Sequence, residues 1–214
     1  MDLIFVVDSS GSIRQQRFEM VLSYIMKVID SLEVAPDRVR VGLITYGDSA
    51  SIRFHLNSYQ HKEDVLQAIE TTEFSRGRTA TADALQQMRR VMFTSANGDR
   101  QDVANFAVVV TDGQSNVRRE DTIPEAIQAR IEGVHIMAVT VMPEGPNLEI
   151  KGIATDPDDY NLFNVRNFND LGSLVSRLVD GVCNGKLNIF GGGGGGFLLL
   201  LMTLRNNLSK VFRI

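Results

Sequence analysis

The feature that most constrains this chain is an alternation between short apolar, β-branched runs and segments of helical periodicity. Leu3-Ile4-Phe5-Val6-Val7 has no polar face, as expected of a strand covered on both sides in a parallel sheet. From Phe18 the period changes. Phe18, Val21, Leu22, Ile25, Val28, Ile29 and Leu32 follow i, i+3, i+4, i+7 spacing and share one helical face. Val34-Ala35-Pro36-Asp37 closes that helix, since proline cannot continue it. Residues 38–46 and 51–56 read as strands joined by Gly47-Asp48-Ser49, a connection short enough only for an antiparallel pair at a sheet edge. Helices are expected over 62–69, 81–93, 124–131 and 171–182, and strands over 106–110, 135–141 and 162–165. The pattern predicts an α/β fold: a doubly wound, mainly parallel six-stranded sheet with one antiparallel edge strand, flanked by helices.

Composition narrows the function. Lys+Arg 22 against Asp+Glu 26 gives a net charge of −4, and no Arg-rich arm or run of like charge suggests nucleic acid. Cys183 is the single cysteine, so an internal disulfide and a Cys-based zinc site are excluded. It reads as a buried apolar residue, an intermolecular link, or half of a bridge to a partner outside this chain. Met1 is followed directly by Asp2 and a strand pattern, which does not resemble a secretory signal. The expectation is therefore an intracellular protein or a piece of a longer one. One domain is expected over 1–183, followed by a linker and tail over 184–214. Six glycines at 191–196 carry no helical or strand preference, and the apolar run 197–201 is far shorter than the ~20 residues that span a bilayer. Asn207-Leu208-Ser209 is a glycosylation sequon in that tail.

Three polar motifs each follow an expected strand or precede an expected helix. Open α/β sheets place their sites at the carboxyl ends of strands, where neighbouring loops converge. In Asp8-Ser9-Ser10-Gly11-Ser12, a tight turn points Asp8, Ser10 and Ser12 to one side, and Gly11 eases the bend. One carboxylate with two hydroxyls is a hard oxygen set, suited to Mg²⁺ or Mn²⁺. The competing reading is local: Ser12 as a helix cap in ordinary turn vocabulary. Gly77-Arg78-Thr79-Ala80-Thr81 has the same two readings, with Thr79 or Thr81 as the cap. Thr111-Asp112-Gly113 is otherwise a strand-ending turn.

Taken in order, DxSxS, a Gly-x-Thr loop and a strand ending in Thr-Asp-Gly resemble the von Willebrand factor A family. The likeness extends over nearly all of residues 1–183. It implies a metal-ion-dependent adhesion site formed by Asp8, Ser10, Ser12, Thr79 and Asp112, with Mg²⁺ (or Mn²⁺ or Ca²⁺) as cofactor. One coordination position is left for a carboxylate of a partner. Ser9, Gly11, Arg78 and Gln114 are the expected partner contacts; Arg78 stands where many members have glycine. The terminal Val182-Cys183 is similar to the extracellular matrix members, matrilins and non-fibrillar collagens. This implies a secreted setting, a matrix or cell-surface partner with collagen among the candidates, and no enzymatic activity. An intracellular assembly module and a Mg-dependent hydrolase are the alternatives. Against the latter, no strained Gly-x-Ser-x-Gly elbow, phosphate-binding glycine motif or second positioned acid is present. His55, His61 and His135 share no ligand spacing, and His135 reads as a strand-end residue. Asp156, Asp158 and Asp159 read as a solvated acidic turn rather than a calcium loop.

Overall fold

The computed structural model describes residues 1–188, with side chains through Cys183. The expectations for the glycine run and apolar tail lie outside the described residues. Strands β1 (Asp2–Asp8), β2 (Arg40–Tyr46), β3 (Ala50–Phe54), β4 (Asn105–Thr111), β5 (Val134–Val141) and β6 (Leu162–Val165) form one sheet in the order β3-β2-β1-β4-β5-β6. Only β3 runs antiparallel. Every residue of β1 is buried, which explains why its sequence has no polar face. Strand order reverses between β1 and β4, so loops leaving these two strands diverge to opposite faces and leave a crevice at their carboxyl ends.

Helix α1 (Gln15–Asp30) buries Phe18, Val21, Leu22, Ile25, Val28 and Ile29, the stripe read from the sequence, and packs beside α2 (Lys62–Glu70). On the other layer α3 (Thr81–Gln87) packs on α4 (Arg119–Ile131), which packs on α5 (Leu148–Ile153). Helix α6 (Asp158–Asn161) takes up two of the acids expected in a turn.

Three helix boundaries differ from the sequence reading. The helix expected over 81–93 is α3 followed by a π turn, Met88–Met92, in which Phe93 N donates to Met88 O at 3.0 Å. Helix α4 starts at Arg119 rather than Pro124; an exposed proline near the N-terminus removes one helical hydrogen bond without ending the helix. The helix expected over 171–182 is instead a 3-10 segment, Phe168–Leu174, leading into α7 (Val175–Asn188). Phe168, Leu171 and Leu174 are its buried residues, and that spacing of three is the 3-10 period.

At the amino edge of the sheet, Asp2 is fully buried and Arg100 closes over it. Arg100 donates to Asp2 Oδ1 from Nε (2.9 Å) and from its NH2 nitrogen (2.7 Å), and its backbone N donates to Oδ2 (2.8 Å). His135 bonds Asn161 through Nε2 at 2.7 Å. Cys183 is exposed, which removes the buried-core reading of that thiol. Among the described residues no helix is long and apolar enough to cross a membrane.

Candidate metal centre

The crevice between β1 and β4 is where the three motifs meet. Asp8 is the last residue of β1 and is fully buried. Its Oδ1 accepts from Ser10 N at 2.8 Å and its Oδ2 from Thr111 Oγ1 at 2.7 Å. The end of β4 therefore fixes the rotamer of a side chain on β1. Ser10 Oγ lies 3.0 Å from Ser12 Oγ, and Ser12 Oγ donates to Asp112 Oδ1 at 2.8 Å. A continuous hydroxyl–carboxylate chain thus links the first loop to the third.

The middle loop is tied to both. Gly11 N donates to Gly77 O at 2.9 Å. Thr79 is buried, its N donates to Asn116 Oδ1 at 2.8 Å, and its O accepts from Ser115 Oγ at 2.9 Å and Asn116 N at 3.0 Å. From below, Ala80 N donates to Gly47 O at 3.0 Å. A β-carbon at Gly47 would lie 2.0 Å from the carbonyl oxygen of Arg76, so this close approach of the loop to the end of β2 requires glycine. These ties leave little slack in any of the three loops.

Neither polar motif serves as a cap. The N-cap position of α1 is Arg14 and that of α3 is Ala80, and neither makes a side-chain cap hydrogen bond. The local reading of Ser12, Thr79 and Thr81 as helix caps therefore fails. Of the expected partner contacts, Gly11, Arg78 and Gln114 are exposed, and Arg78 Nε pairs with Asp48 Oδ1 at 2.8 Å. Ser9 is a correction. It is fully buried and its Oγ donates to Tyr46 O at 3.2 Å and touches Ser75 Oγ. Alternation in a turn points Ser9 opposite to Ser10, and in this turn the opposite side is protein.

Burial raises the Asp8 carboxyl from 3.8 to about 6, against the opposing pull of the hydrogen bonds from Ser10 and Thr111. Burial also raises Asp112, opposed by Ser12 and by the charge of Arg17. The Tyr46 phenol, alongside Asp8 in the strand register, is pushed well up by burial and next by the charge of Asp8, against the opposing pull of the Thr81 and Thr111 hydroxyls. A buried carboxylate, Asp8, and a half-buried one, Asp112, thus converge on the crevice, and no cationic side chain among the described residues hydrogen-bonds to either. Every converging side-chain donor atom is a hard oxygen. That donor set fits a hard divalent cation, which would supply the missing positive charge. Among the described residues no group of three or more His, Cys, Asp or Glu could hold a metal, so a cation here depends on the hydroxyls.

Several residues that build the site went unread in the sequence. Thr111 read only as a strand end, although its hydroxyl holds Asp8. Ser115 and Asn116 follow the Asp-Gly turn and anchor Thr79. Glu149, buried on α5, accepts from Ser115 N at 2.6 Å; no local pattern links residues so far apart in sequence.

The family model for the von Willebrand factor type A domain matches residues 2–177. The chain belongs to that family. Its A domain is 32% identical over 187 residues to mouse (Mus musculus) matrilin-2, covering 86% of this chain and 19% of that protein. It is 34% identical over 185 residues to the mouse collagen alpha-4(VI) chain, covering 86% and 8%. Chicken (Gallus gallus) matrilin-1 is 30% identical over 184 residues, with 86% and 36% covered. The chain spans well under half of each relative. Among solved structures, proximal thread matrix protein 1 from the mussel byssus, in a form with a zinc-occupied MIDAS motif, superposes with TM-score 0.77 at 23% identity, covering 85% of this chain and 48% of that one. Manganese-loaded Plasmodium vivax TRAP protein gives TM-score 0.67 at 19% identity, covering 84% and 73%. At these identities the likeness is one of fold, and it agrees with the sheet order and the antiparallel edge strand.

Proposed function

We propose that this A domain is a metal-dependent adhesion module. Asp8, Ser10, Ser12, Thr79 and Asp112 hold a divalent cation, with Mg²⁺ preferred and Mn²⁺ or Ca²⁺ as substitutes. The supporting observation is the hydroxyl–carboxylate chain across the crevice, in which Asp8 is buried and Asp112 half-buried, neither with a hydrogen-bonded cationic partner. When bound, the cation supplies an electrophilic position for a carboxylate of a protein partner. The chain's own residues do the rest. Thr111 and Ser10 hold the Asp8 carboxylate in place, Asn116 and Ser115 hold the Thr79 loop, and Gly11, Arg78 and Gln114 stand at the surface a partner meets.

The relatives are matrilins and collagens, proteins of the extracellular matrix, and two structural neighbours carry zinc and manganese. These support a matrix setting, a matrix or cell-surface partner such as collagen, and a binding rather than catalytic role. A hydrolase using Asp8 as nucleophile is disfavoured, because both oxygens of that buried carboxylate already accept hydrogen bonds. The test is retention of solubilised matrix proteins on the immobilised protein. Retention is expected in Mg²⁺, with loss in EDTA and in the Thr79→Ala variant. Equal retention with and without EDTA contradicts the reading.

A further inference from the structure

We infer that the rim of the metal centre is an arginine collar that selects acidic peptide segments, partners presenting several carboxylates around the one the cation takes. The inference rests on the adhesion reading above and specifies its partner. The chain as a whole is acidic, at −4, yet its three metal-site segments are not. Segments 8–17, 74–79 and 111–119 each carry two arginines: Arg14 and Arg17, Arg76 and Arg78, Arg118 and Arg119. None contains lysine, and their only acids are Asp8 and Asp112, the proposed ligands. All six arginines are exposed.

Local folding does not account for them. Arg14, Arg76 and Arg118 have φ of 62°, 62° and 47°, a region that glycine or asparagine enters at lower cost than a long side chain. Backbone preference alone would place another residue at each. Their side chains also do little for the loops that carry them. Arg118 pairs with Asp121 at 2.7 Å at a half-exposed site, and Arg78 with Asp48 at 2.8 Å where both side chains are 65% exposed. Pairs of this kind in water exchange readily for a better partner. Arg119 meets the buried Glu149 at 3.1 Å and is held more firmly. Arg17 lies over the Phe168 ring, 5.2 Å from its centroid. Arg14 and Arg76 have no hydrogen bond or ion pair from their side chains among the described residues.

The two arginines without a side-chain hydrogen bond or ion pair therefore sit on one side, where the Gly11–Gly77 hydrogen bond joins the loops bearing Arg14 and Arg76. The hollow between α1 and α2, which Gln15 and Phe74 of the same segments also line, carries Glu19, Glu70 and Glu73. An acidic segment would lie across the loops, one carboxylate at the centre and its neighbours on the arginines, whose planar forks donate to carboxylates in two-point contact. A peptide fits better than a sulfated glycan because the central oxygen-lined site calls for a carboxylate, whereas arginine–sulfate contacts need no metal.

Fluorescence anisotropy with the full chain in Mg²⁺ tests this, using labelled hexaglutamate and a peptide with one glutamate flanked by glutamines. Hexaglutamate is expected to bind about tenfold more tightly or better at about 0.05 M salt, with the advantage gone at about 0.5 M. The double variant Arg14→Gly/Arg76→Gly, chosen because glycine suits both backbone positions, should narrow the ratio to about threefold or less. Arg14→Lys/Arg76→Lys should keep most of it. Equal binding of the two peptides overturns the collar and leaves the metal centre standing. Absence of Mg²⁺-dependent binding by either peptide overturns the adhesion reading beneath it. A heparin oligosaccharide that binds more tightly than hexaglutamate, insensitive to EDTA, overturns the choice of a peptide partner.

Discussion

Replacing Asp8 with asparagine should stabilise the metal-free protein while abolishing metal binding. The Asp8 carboxyl rises from 3.8 to about 6 on burial. A rise of about two units, at about 1.4 kcal/mol each, means that ionised Asp8 costs the metal-free fold about 3 kcal/mol at neutral pH. Between 3.8 and about 6 the folded state holds a proton that the unfolded chain has released. The penalty accordingly grows as pH rises through that window, is complete above it, and is absent below it. Asparagine is the neutral counterpart and keeps an oxygen for Ser10 N. In EDTA at about pH 7.5, Asp8→Asn should unfold later by up to about 3 kcal/mol, or roughly 6–10 °C for a domain of this size. The gap should close by about pH 4. Excess Mg²⁺ should raise the midpoint of the unaltered protein and leave the variant unmoved. Differential scanning calorimetry at two pH values, with and without EDTA, reads all of this. A variant less stable than the parent in EDTA at neutral pH, or a gap that ignores pH, would refute the reasoning.

Arg100→Ala should destabilise strongly, by about 3–5 kcal/mol, because it strands the fully buried Asp2 carboxylate; a cost below about 1 kcal/mol in urea denaturation would show that water reaches Asp2 freely. Arg14 sits at φ 62°, ψ 154°, a region nearly restricted to glycine, so Arg14→Gly should raise stability by about 1 kcal/mol or more. A lowered thermal midpoint for that variant would mean the arginine side chain makes a contact that outweighs the strain.

How much of this was legible in the sequence depends on how local each cause is. The buried parallel strands β1, β4 and β5 announce themselves by the apolar runs 3–7, 106–110 and 136–139, because a strand covered on both faces has no polar side to alternate with. The antiparallel edge followed from the short Gly47-Asp48-Ser49 connection. Helix ends were harder. The π turn after α3 was invisible because Met88 and Met92 are spaced as an ordinary α-helix would space them. The 3-10 spacing of Phe168, Leu171 and Leu174 merged with the apolar stripe of the helix that follows.

The site divides in the same way. Asp8, Ser10, Ser12, Thr79 and Asp112 each lie in a polar motif with a local reading of its own, and only the order of the three motifs, in its likeness to the von Willebrand factor A family, made them candidates. The residues that hold them could not. Asn116 reaching back to Thr79, Glu149 beneath Ser115, and the approach of Arg76 to Gly47 are tertiary contacts between segments with no shared pattern. Ser9 was misread because alternation gives direction relative to its neighbours but not which side faces solvent. Arg14 and Arg76 look unremarkable as letters, and only their backbone angles set them apart.

The most direct test of the metal centre is a calorimetric titration of Mn²⁺ into the full chain and into the Asp8→Asn and Thr79→Ala variants. One site is expected on the unaltered protein, weakening below about pH 6 as Asp8 takes up its proton, absent in Asp8→Asn and weaker in Thr79→Ala. Unchanged Mn²⁺ binding in both variants would place the cation elsewhere and contradict the account.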